Sequence, residues 1–422
     1  MRVTPAEDIP VLDRNGLLNR RALLFLLGTA LGLLGGFAVM VPLSVSVFIK
    51  PLSQALGWGR AEVSLLATMS FAGFTIAVPF TPAIMERIGV RRTMWIGYAA
   101  LAGCLLMLGT APATVGLFSM IAFLSGLLTA VTSPSGFMML IGQAFDRRLG
   151  TAIGLAMIGF GLGAVGMPVF ANHVLGLLGW QAAFIVMGLV TLALGSLSIL
   201  LVGRNGIDFD NALQQARQKR SDMVAGSEIT LRAVLSSWRF WIIGAAMLAT
   251  SIAGFGAITH IPAALADRGM SLDQAALFAS FIGIGLLAGR IASAMLMDIF
   301  HAPLVSMIFV ALGGSGLEIL QFTPVSSFGP IMLGVILAGL IVGTETDMGP
   351  VLARRYFPVE MFNRIYGVIA FLAGLGGMIG PFLFGYLRDM AGSYDLPFQL
   401  GFIICLAGGG AVLLLGRYRR EP

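Results

Sequence analysis

The chemistry available to this chain sits in a few charged side chains set within long apolar stretches. Leu272 to Met297 reads LDQAALFASFIGIGLLAGRIASAMLM, is long enough to cross a bilayer, and holds one full charge deep inside it, Arg290. An arginine at the centre of a spanning helix costs roughly 3 kcal/mol, so a chain that keeps one gives it an anion to hold. That anion is a protein carboxylate or a bound substrate, to which a planar guanidinium offers two parallel hydrogen bonds. The protein candidates are Glu345 and Asp347 in GTETDMG, while Glu318 in the preceding apolar run is expected to face a helix neighbour. Residues two apart on a helix point about 200° apart, so only one of Glu345 and Asp347 can face Arg290. Their depths match, since both they and Arg290 lie on the order of 10–14 Å from the same end of their runs. Two compatible readings stand at this point: a structural ion pair, and a substrate anchor biased by a nearby acid.

Other polar residues in apolar surroundings are fewer. His260, in GAITHIPAAL, is a candidate proton carrier and substrate contact near neutral pH, and equally a hydrogen-bonded interface histidine. In Ser133-Pro134-Ser135 the proline frees a backbone carbonyl and the serines can line a cavity, or the kink serves packing alone. Gly161-Leu-Gly163-Ala-Val-Gly166 spells a dinucleotide fingerprint, but it lies inside an apolar helical run with no strand before it, where its glycines suit helix packing. His173 and His301 read as loop residues. There is no HExxH, GxSxG or phosphate loop, so neither an enzyme nor a metal or cofactor is expected.

These residues must be positioned by membrane helices. Of 422 residues 57% are hydrophobic and only 11% charged, too few to cover a soluble fold of this length. About twelve runs near twenty residues are predicted as spans: Ala22–Phe48, Glu62–Ile84, Thr93–Leu108, Val115–Phe145, Gly150–Asn172, Trp180–Val202, Phe240–Ala264, Leu272–Met297, Pro303–Phe322, Phe328–Ala353, Ile365–Leu387 and Pro397–Leu415. The fold class expected is all-α integral membrane: twelve transmembrane helices in two pseudo-symmetric six-helix bundles, residues 22–202 and 240–415. A polar connection at 203–239 joins them, with tails at 1–21 and 416–422, and such a repeat is what a transporter is built on. The first apolar run is too long for a cleavable signal peptide. Cys104 and Cys405 each lie in an apolar run and read as packing residues.

Lys and Arg set the orientation. With the N-terminus inside, twenty-one fall on cytoplasmic segments, while Lys50, Arg60, Arg268 and Arg388 fall outside. Both termini are thus expected in the cytoplasm. Because the positive charge is spread over loops, the net +6 does not point to nucleic acid. Trp58 and Trp180 at outer ends, and Trp95, Trp238 and Trp241 at inner ends, form an aromatic belt.

After the second span comes Pro82-Ala-Ile-Met-Glu86-Arg87-Ile-Gly89-Val-Arg91-Arg92, and a weaker copy, Gly289-Arg290 with Asp298, closes the eighth. Together they resemble the repeated loop signature of the major facilitator superfamily, with Pro82 where the first glycine is usual and Glu86 for aspartate. Glu86, Arg87, Arg91, Arg92 and Asp298 then form a conformational latch whose charges pair across the halves in one state and part in another. Phe145-Asp-Arg-Arg-Leu-Gly150-Thr-Ala-Ile-Gly154-Leu-Ala156, Gly57-Trp58-Gly-Arg60-Ala-Glu62 and Arg355-Tyr356-Phe357 with Arg364-Ile-Tyr366-Gly367 are similar to the monocarboxylate porters, in the bacterial branch that includes oxalate/formate exchangers. The resemblance implies the major facilitator fold, a small organic anion as partner, and Arg290 as its anchor. It does not carry over the whole site: Leu43 stands where mammalian members have a lysine and Leu286 where they have an aspartate, and the eleventh span lacks the lysine of the oxalate exchanger.

The expected function is therefore secondary active transport of a small organic anion, a monocarboxylate, by alternating access, with Glu345, Asp347 or His260 coupling it to protons or with exchange for a counter-anion. The expected setting is a monomer in the lipid bilayer of a bacterial inner membrane. Two alternatives stay open: an exporter of neutral or cationic amphipathic compounds in which Arg290 is purely structural, and a membrane sensor that does not transport.

Overall fold

In lipid every backbone polar group must be satisfied within its own segment, so apolar runs of this length become helices. The computed structural model describes residues 19–145, 149–203, 236–357 and 362–418, and no strand occurs among them. Most of both expected tails, most of the 203–239 connection, and Asp146, Arg147 and Arg148 of the fifth-span motif lie outside the described residues. Eleven helices among those described are long and apolar enough to cross a membrane, and one of them, Thr151–Gly203, is long enough for two. It breaks at Gly179, where φ is 82°, a left-handed backbone that glycine adopts without a Cβ clash. The twelve expected spans are all present. The fifth runs past its expected end at Asn172 because VLGLLG continues the helix up to that glycine.

Three spans are interrupted where the sequence places proline, the second of them by a 3₁₀ turn at Val78–Phe80 that holds Pro79, between Arg60–Ala77 and Thr81–Ile88. The first is Arg20–Leu34, a π-helical turn at Val39–Leu43 around Pro42, and Ser44–Leu56. The fourth is Val115–Thr129, a 3₁₀ turn at Ala130–Thr132, and Pro134–Ala144. The breaks in the first and fourth spans dock on each other: Phe37 N donates to Thr132 Oγ1 at 3.1 Å. The break in the fourth span thus partners a backbone N–H of the first inside the protein, as irregular backbone at membrane depth requires.

The two halves pack alike internally. Spans 2 and 4 approach so closely that a Cβ on Gly73 or Gly126 would strike the backbone of the other helix, and the same holds for Gly285 and Gly339 between spans 8 and 10. Glycine is required there because nothing larger lets two backbones meet. Leu162, Leu177, Ile291 and Phe322 are more than 60% exposed, an apolar exterior that suits lipid.

Between the halves, span 2 packs on span 11 and span 5 on span 8. Both seams are tight over only part of their length. A Cβ on Gly161 would strike Leu287, and one on Gly374 would strike Thr75. Gly154 and Gly367 lie seven residues earlier on the same helix faces, about 10 Å along the axis, and a Cβ there would meet nothing within 4 Å. The halves are therefore together at the face carrying the turns after odd-numbered spans (the odd-loop face) and parted toward the opposite, even-loop face. Beside Lys50 the space left between them, lined by Ser46, Asn172, Ala266 and Ala276, is about 10 Å³, room for roughly one water.

Candidate functional site

Arg290 stands where the spans part. Gly283, seven residues before it on the eighth span, packs on Ala164 of the fifth; seven residues turn a helix through all but about 20° of two full turns, so Arg290 projects from the same face one step beyond the contact. Of the two acids of the tenth span, Asp347 meets it. Arg290 Nε and Asp347 Oδ1 are 3.8 Å apart, with the side chains 21% and 19% exposed. That separation is an ion pair but too long for a hydrogen bond. Asp347 Oδ2 is buried without a hydrogen-bond partner among the described residues, and no hydrogen bond from Arg290 occurs among them. Glu345 turns the other way, 6% exposed, and accepts a 2.8 Å hydrogen bond from Ser251 of the seventh span. Tyr366 of the eleventh span lies within electrostatic reach of Arg290, Glu345 and Asp347. The centre thus gathers spans 7, 8, 10 and 11 around one cation and two acids. Glu318 is not part of it; its Oε1 is buried with no partner among the described residues.

A second charged centre lies on the odd-loop face, and the sequence reading did not assemble it. Asp267, at the end of the seventh span, accepts from Arg60 Nη2 at 2.7 Å and from Arg388 Nη2 at 3.0 Å, with Lys50 Nζ at 3.4 Å. Lys50 and Arg60 belong to the first half, while Asp267 and Arg388 belong to the second. Asp389 adds a bond from Ala61 N at 2.9 Å, and Asn172 donates to Asp273 at 2.7 Å across the other seam. His260 belongs to this clamp. It is fully buried, with Nε2 at 2.8 Å from the Pro381 carbonyl and 3.0 Å from Ser64 Oγ, and Nδ1 at 3.0 Å from the Tyr394 hydroxyl. A carbonyl only accepts, which puts the proton on Nε2 and leaves Nδ1 to accept from Tyr394. Burial raises the Tyr394 phenol above its ordinary range, which keeps it an O–H donor.

The profile of the Major Facilitator Superfamily matches residues 25–346. The chain belongs to the Major Facilitator Superfamily. It is 25% identical over 379 residues to monocarboxylate transporter 13 of Rattus norvegicus, covering 89% of this chain and 85% of that protein. To monocarboxylate transporter 11 of Homo sapiens it is 24% identical, covering 90% and 79%, and to the MFS-type transporter YhjX of Escherichia coli (strain K12) it is 24% identical, covering 79% and 81%. The protein is accordingly a multi-pass membrane transporter, not an enzyme.

The remaining expected site residues of this facilitator are scattered around the Arg290 centre. Ser133 is fully buried and donates to the Ala130 carbonyl at 2.6 Å, so its hydroxyl closes the break in the fourth span; Ser135, 2.7 Å from it, is exposed. Of the expected latch, Arg87, Arg91 and Arg92 are exposed and Glu86 is half-buried. Asp298 lies 3.8 Å from Arg355 of its own half. His260 and Arg290 are not brought together: Ser251, beside the Arg290 centre, is nine residues before His260 on the same helix, about 14 Å away.

Proposed function

We propose that this transporter carries a small organic anion, a monocarboxylate, by alternating access, with Arg290 holding the carboxylate. The observation that supports this most is the looseness of the Arg290–Asp347 pair, 3.8 Å long with one carboxylate oxygen unpartnered among the described residues. A bound carboxylate offers that guanidinium two charge-assisted hydrogen bonds that Asp347 does not supply in this arrangement. Residues 22–202 and 240–415 move against each other, and this arrangement, closed at the odd-loop face, is one end of the cycle. The odd-loop face is the outer one and both termini are cytoplasmic, a reading supported by the excess of Arg on the even-loop side; the membrane is a bacterial inner membrane. Glu345 carries the coupled proton. It is the buried acid that the Arg290 pair leaves unused, and Ser251, Asp347 and Tyr366 surround it.

The test is uptake and ligand-induced thermal shift with a panel of acetate, L-lactate, pyruvate and benzoate. Arg290→Lys keeps the charge and is expected to weaken binding, because an ammonium does not reproduce the bidentate fork; Arg290→Ala is expected to abolish it. A wild-type carboxylate response that survives in Arg290→Ala overturns the reading. The existence of the Arg290–Asp347 pair favours a second reading, in which Arg290 only neutralises Asp347 and the cargo is neutral or cationic. Under that reading Arg290→Ala with Asp347→Asn restores transport, and under the first it does not.

A further inference from the structure

Asp267 does for Lys50 and Arg60 what a substrate carboxylate would do. Both cations stand at its Oδ1: Arg60 Nη2 donates a hydrogen bond at 2.7 Å, and Lys50 Nζ, whose hydrogen bond goes to the adjacent Ala266 carbonyl, makes an ion pair at 3.4 Å. They sit on the first and second spans of one half, joined by the short turn Gly57–Gly59, so they stay neighbours when the halves separate. Asp267 sits on the other half. Arg388, its third partner, shares its half and can stay with it at 3.0 Å, 3.4 Å from Asp389. Parting the odd-loop face therefore divides the charge unevenly. One rim keeps Asp267, Asp389 and Arg388; the other keeps Lys50 and Arg60. The acid nearest to them, Glu62, caps the Gly59 N–H at 2.9 Å and points about 200° away from Arg60 around the helix. Two cations that shared a single oxygen would then face solvent with no anion between them. Arg60 is 4% exposed here, and its Nε and Nη1 have no partner among the described residues, so the guanidinium keeps donors to spare beyond the one bond it gives Asp267.

We infer that Lys50 and Arg60 form a capture site for the substrate's carboxylate at the odd-loop face, which Asp267 occupies whenever that face is closed. The inference rests on the reading that the substrate is a carboxylate. The site is separate from Arg290, lies on the opposite half, and works in the arrangement that is open at the odd-loop face. An arriving anion competes with Asp267 for the same two cations and so favours opening; once the anion has moved inward, Asp267 returns and closes the face behind it.

The experiment uses right-side-out and inside-out membrane vesicles, which present the odd-loop and even-loop faces to the same labelled panel of acetate, L-lactate, pyruvate and benzoate. Lys50→Gln is expected to raise KM at the odd-loop face about threefold to tenfold, leave KM at the even-loop face unchanged, and flatten the rise of odd-face KM with salt that electrostatic capture produces. Asp267→Asn, which frees the two cations, is expected to lower odd-face KM, and adding Lys50→Gln to it to raise KM again. Lys50 is 20% exposed, so its replacement spares the fold; Arg60→Gln is read only if its melting temperature is unchanged. An equal rise at both faces means that Lys50 acts on the whole protein, and no rise at either means that it captures nothing; each overturns the capture site. Arg290→Lys raising KM at both faces keeps the anchor reading in either case. Wild-type vesicles that take up no member of the panel withdraw the carboxylate reading and the capture site together.

Discussion

Two centres in this transporter are built from the same parts, a carboxylate and arginine, and differ in how tightly they are assembled. At the odd-loop face Asp267 draws three cations to between 2.7 and 3.4 Å and joins the two halves. At the Arg290 centre the pair is 3.8 Å long and lies within one half. A tight carboxylate-centred cluster across a moving seam holds a conformation. A loose pair facing the place where the seam opens can exchange its anion. Charge alone therefore says little about which cation is open to an anion in this arrangement; the number of hydrogen bonds already committed says more.

The largest effect is expected where the cluster is tightest. Asp267→Asn strands Arg60 and Lys50 opposite a neutral amide. Breaking a buried pair costs roughly 3–5 kcal/mol, and partial exposure of Asp267 lowers this to about 2–3, enough to shift the balance of open and closed odd-loop faces roughly thirty- to hundredfold. A cysteine at Ser46, 3% exposed here, in a background without Cys104 and Cys405, reports it. The wild type resists a membrane-impermeant thiol reagent added at the odd-loop face, and Asp267→Asn reacts. Unchanged protection would mean that the clamp does not hold the face.

At the looser centre the cost is smaller. Arg290→Ala is expected to lower stability by about 1–3 kcal/mol, between the values for exposed and buried pairs, since both partners are about one-fifth exposed. Adding Asp347→Asn should restore the melting temperature and leave carboxylate uptake absent. Recovery of both would make the Arg290 centre a second structural cluster and erase the contrast with Asp267.

The number of spans and the break at Pro134 were legible because run length and proline act locally; the π-helical turn around Pro42 was not read. The depth of Arg290 was legible too, and so was the rule that only one of Glu345 and Asp347 can reach it. Which one was not read, yet the signal was there. Gly339, Gly343 and Asp347 are spaced by four, and the two glycines mark the face of the tenth span that meets the eighth. The clamp was not legible. Lys50, Arg60 and Arg388 read as sparse outer charges, Asp267 was not singled out, and residues more than a hundred positions apart give a single sequence no sign of their pairing. His260 was seen as polar in an apolar run, but its three partners come from the second span, the eleventh span and the turn after it.

The proton coupling proposed above divides the two centres in a third way. Glu345→Gln keeps a hydrogen-bonding partner for Ser251 and copies the protonated acid. It is expected to retain exchange of labelled for unlabelled carboxylate while losing accumulation driven by an imposed pH gradient. Accumulation at the wild-type level in Glu345→Gln would remove the proton from the Arg290 centre.

The smallest effect is expected at His260. Its ring serves here as one donor and one acceptor: Nε2–H is given to a carbonyl that cannot donate back, and Nδ1 accepts the hydrogen bond of the Tyr394 hydroxyl. A second proton on Nδ1 would turn that acceptor into a donor and force the Tyr394 hydroxyl to reverse its role, inside a clamp where Arg60 already brings positive charge. The histidine thus serves the closed odd-loop face as a shaped connector. A glutamine has one acceptor and one donor group but not the rigid ring that sets them on opposite sides, so His260→Gln should lose about one hydrogen bond, roughly 1 kcal/mol. Odd-face thiol reactivity at Ser46 should rise slightly, well below its rise in Asp267→Asn, and the dependence of uptake on pH between about 5.5 and 7.5, around the ordinary histidine range, should stay as in the wild type. A flattened pH profile in His260→Gln, with Glu345→Gln unaffected, would move the proton from the loose centre to the tight one and reverse the division of labour between them.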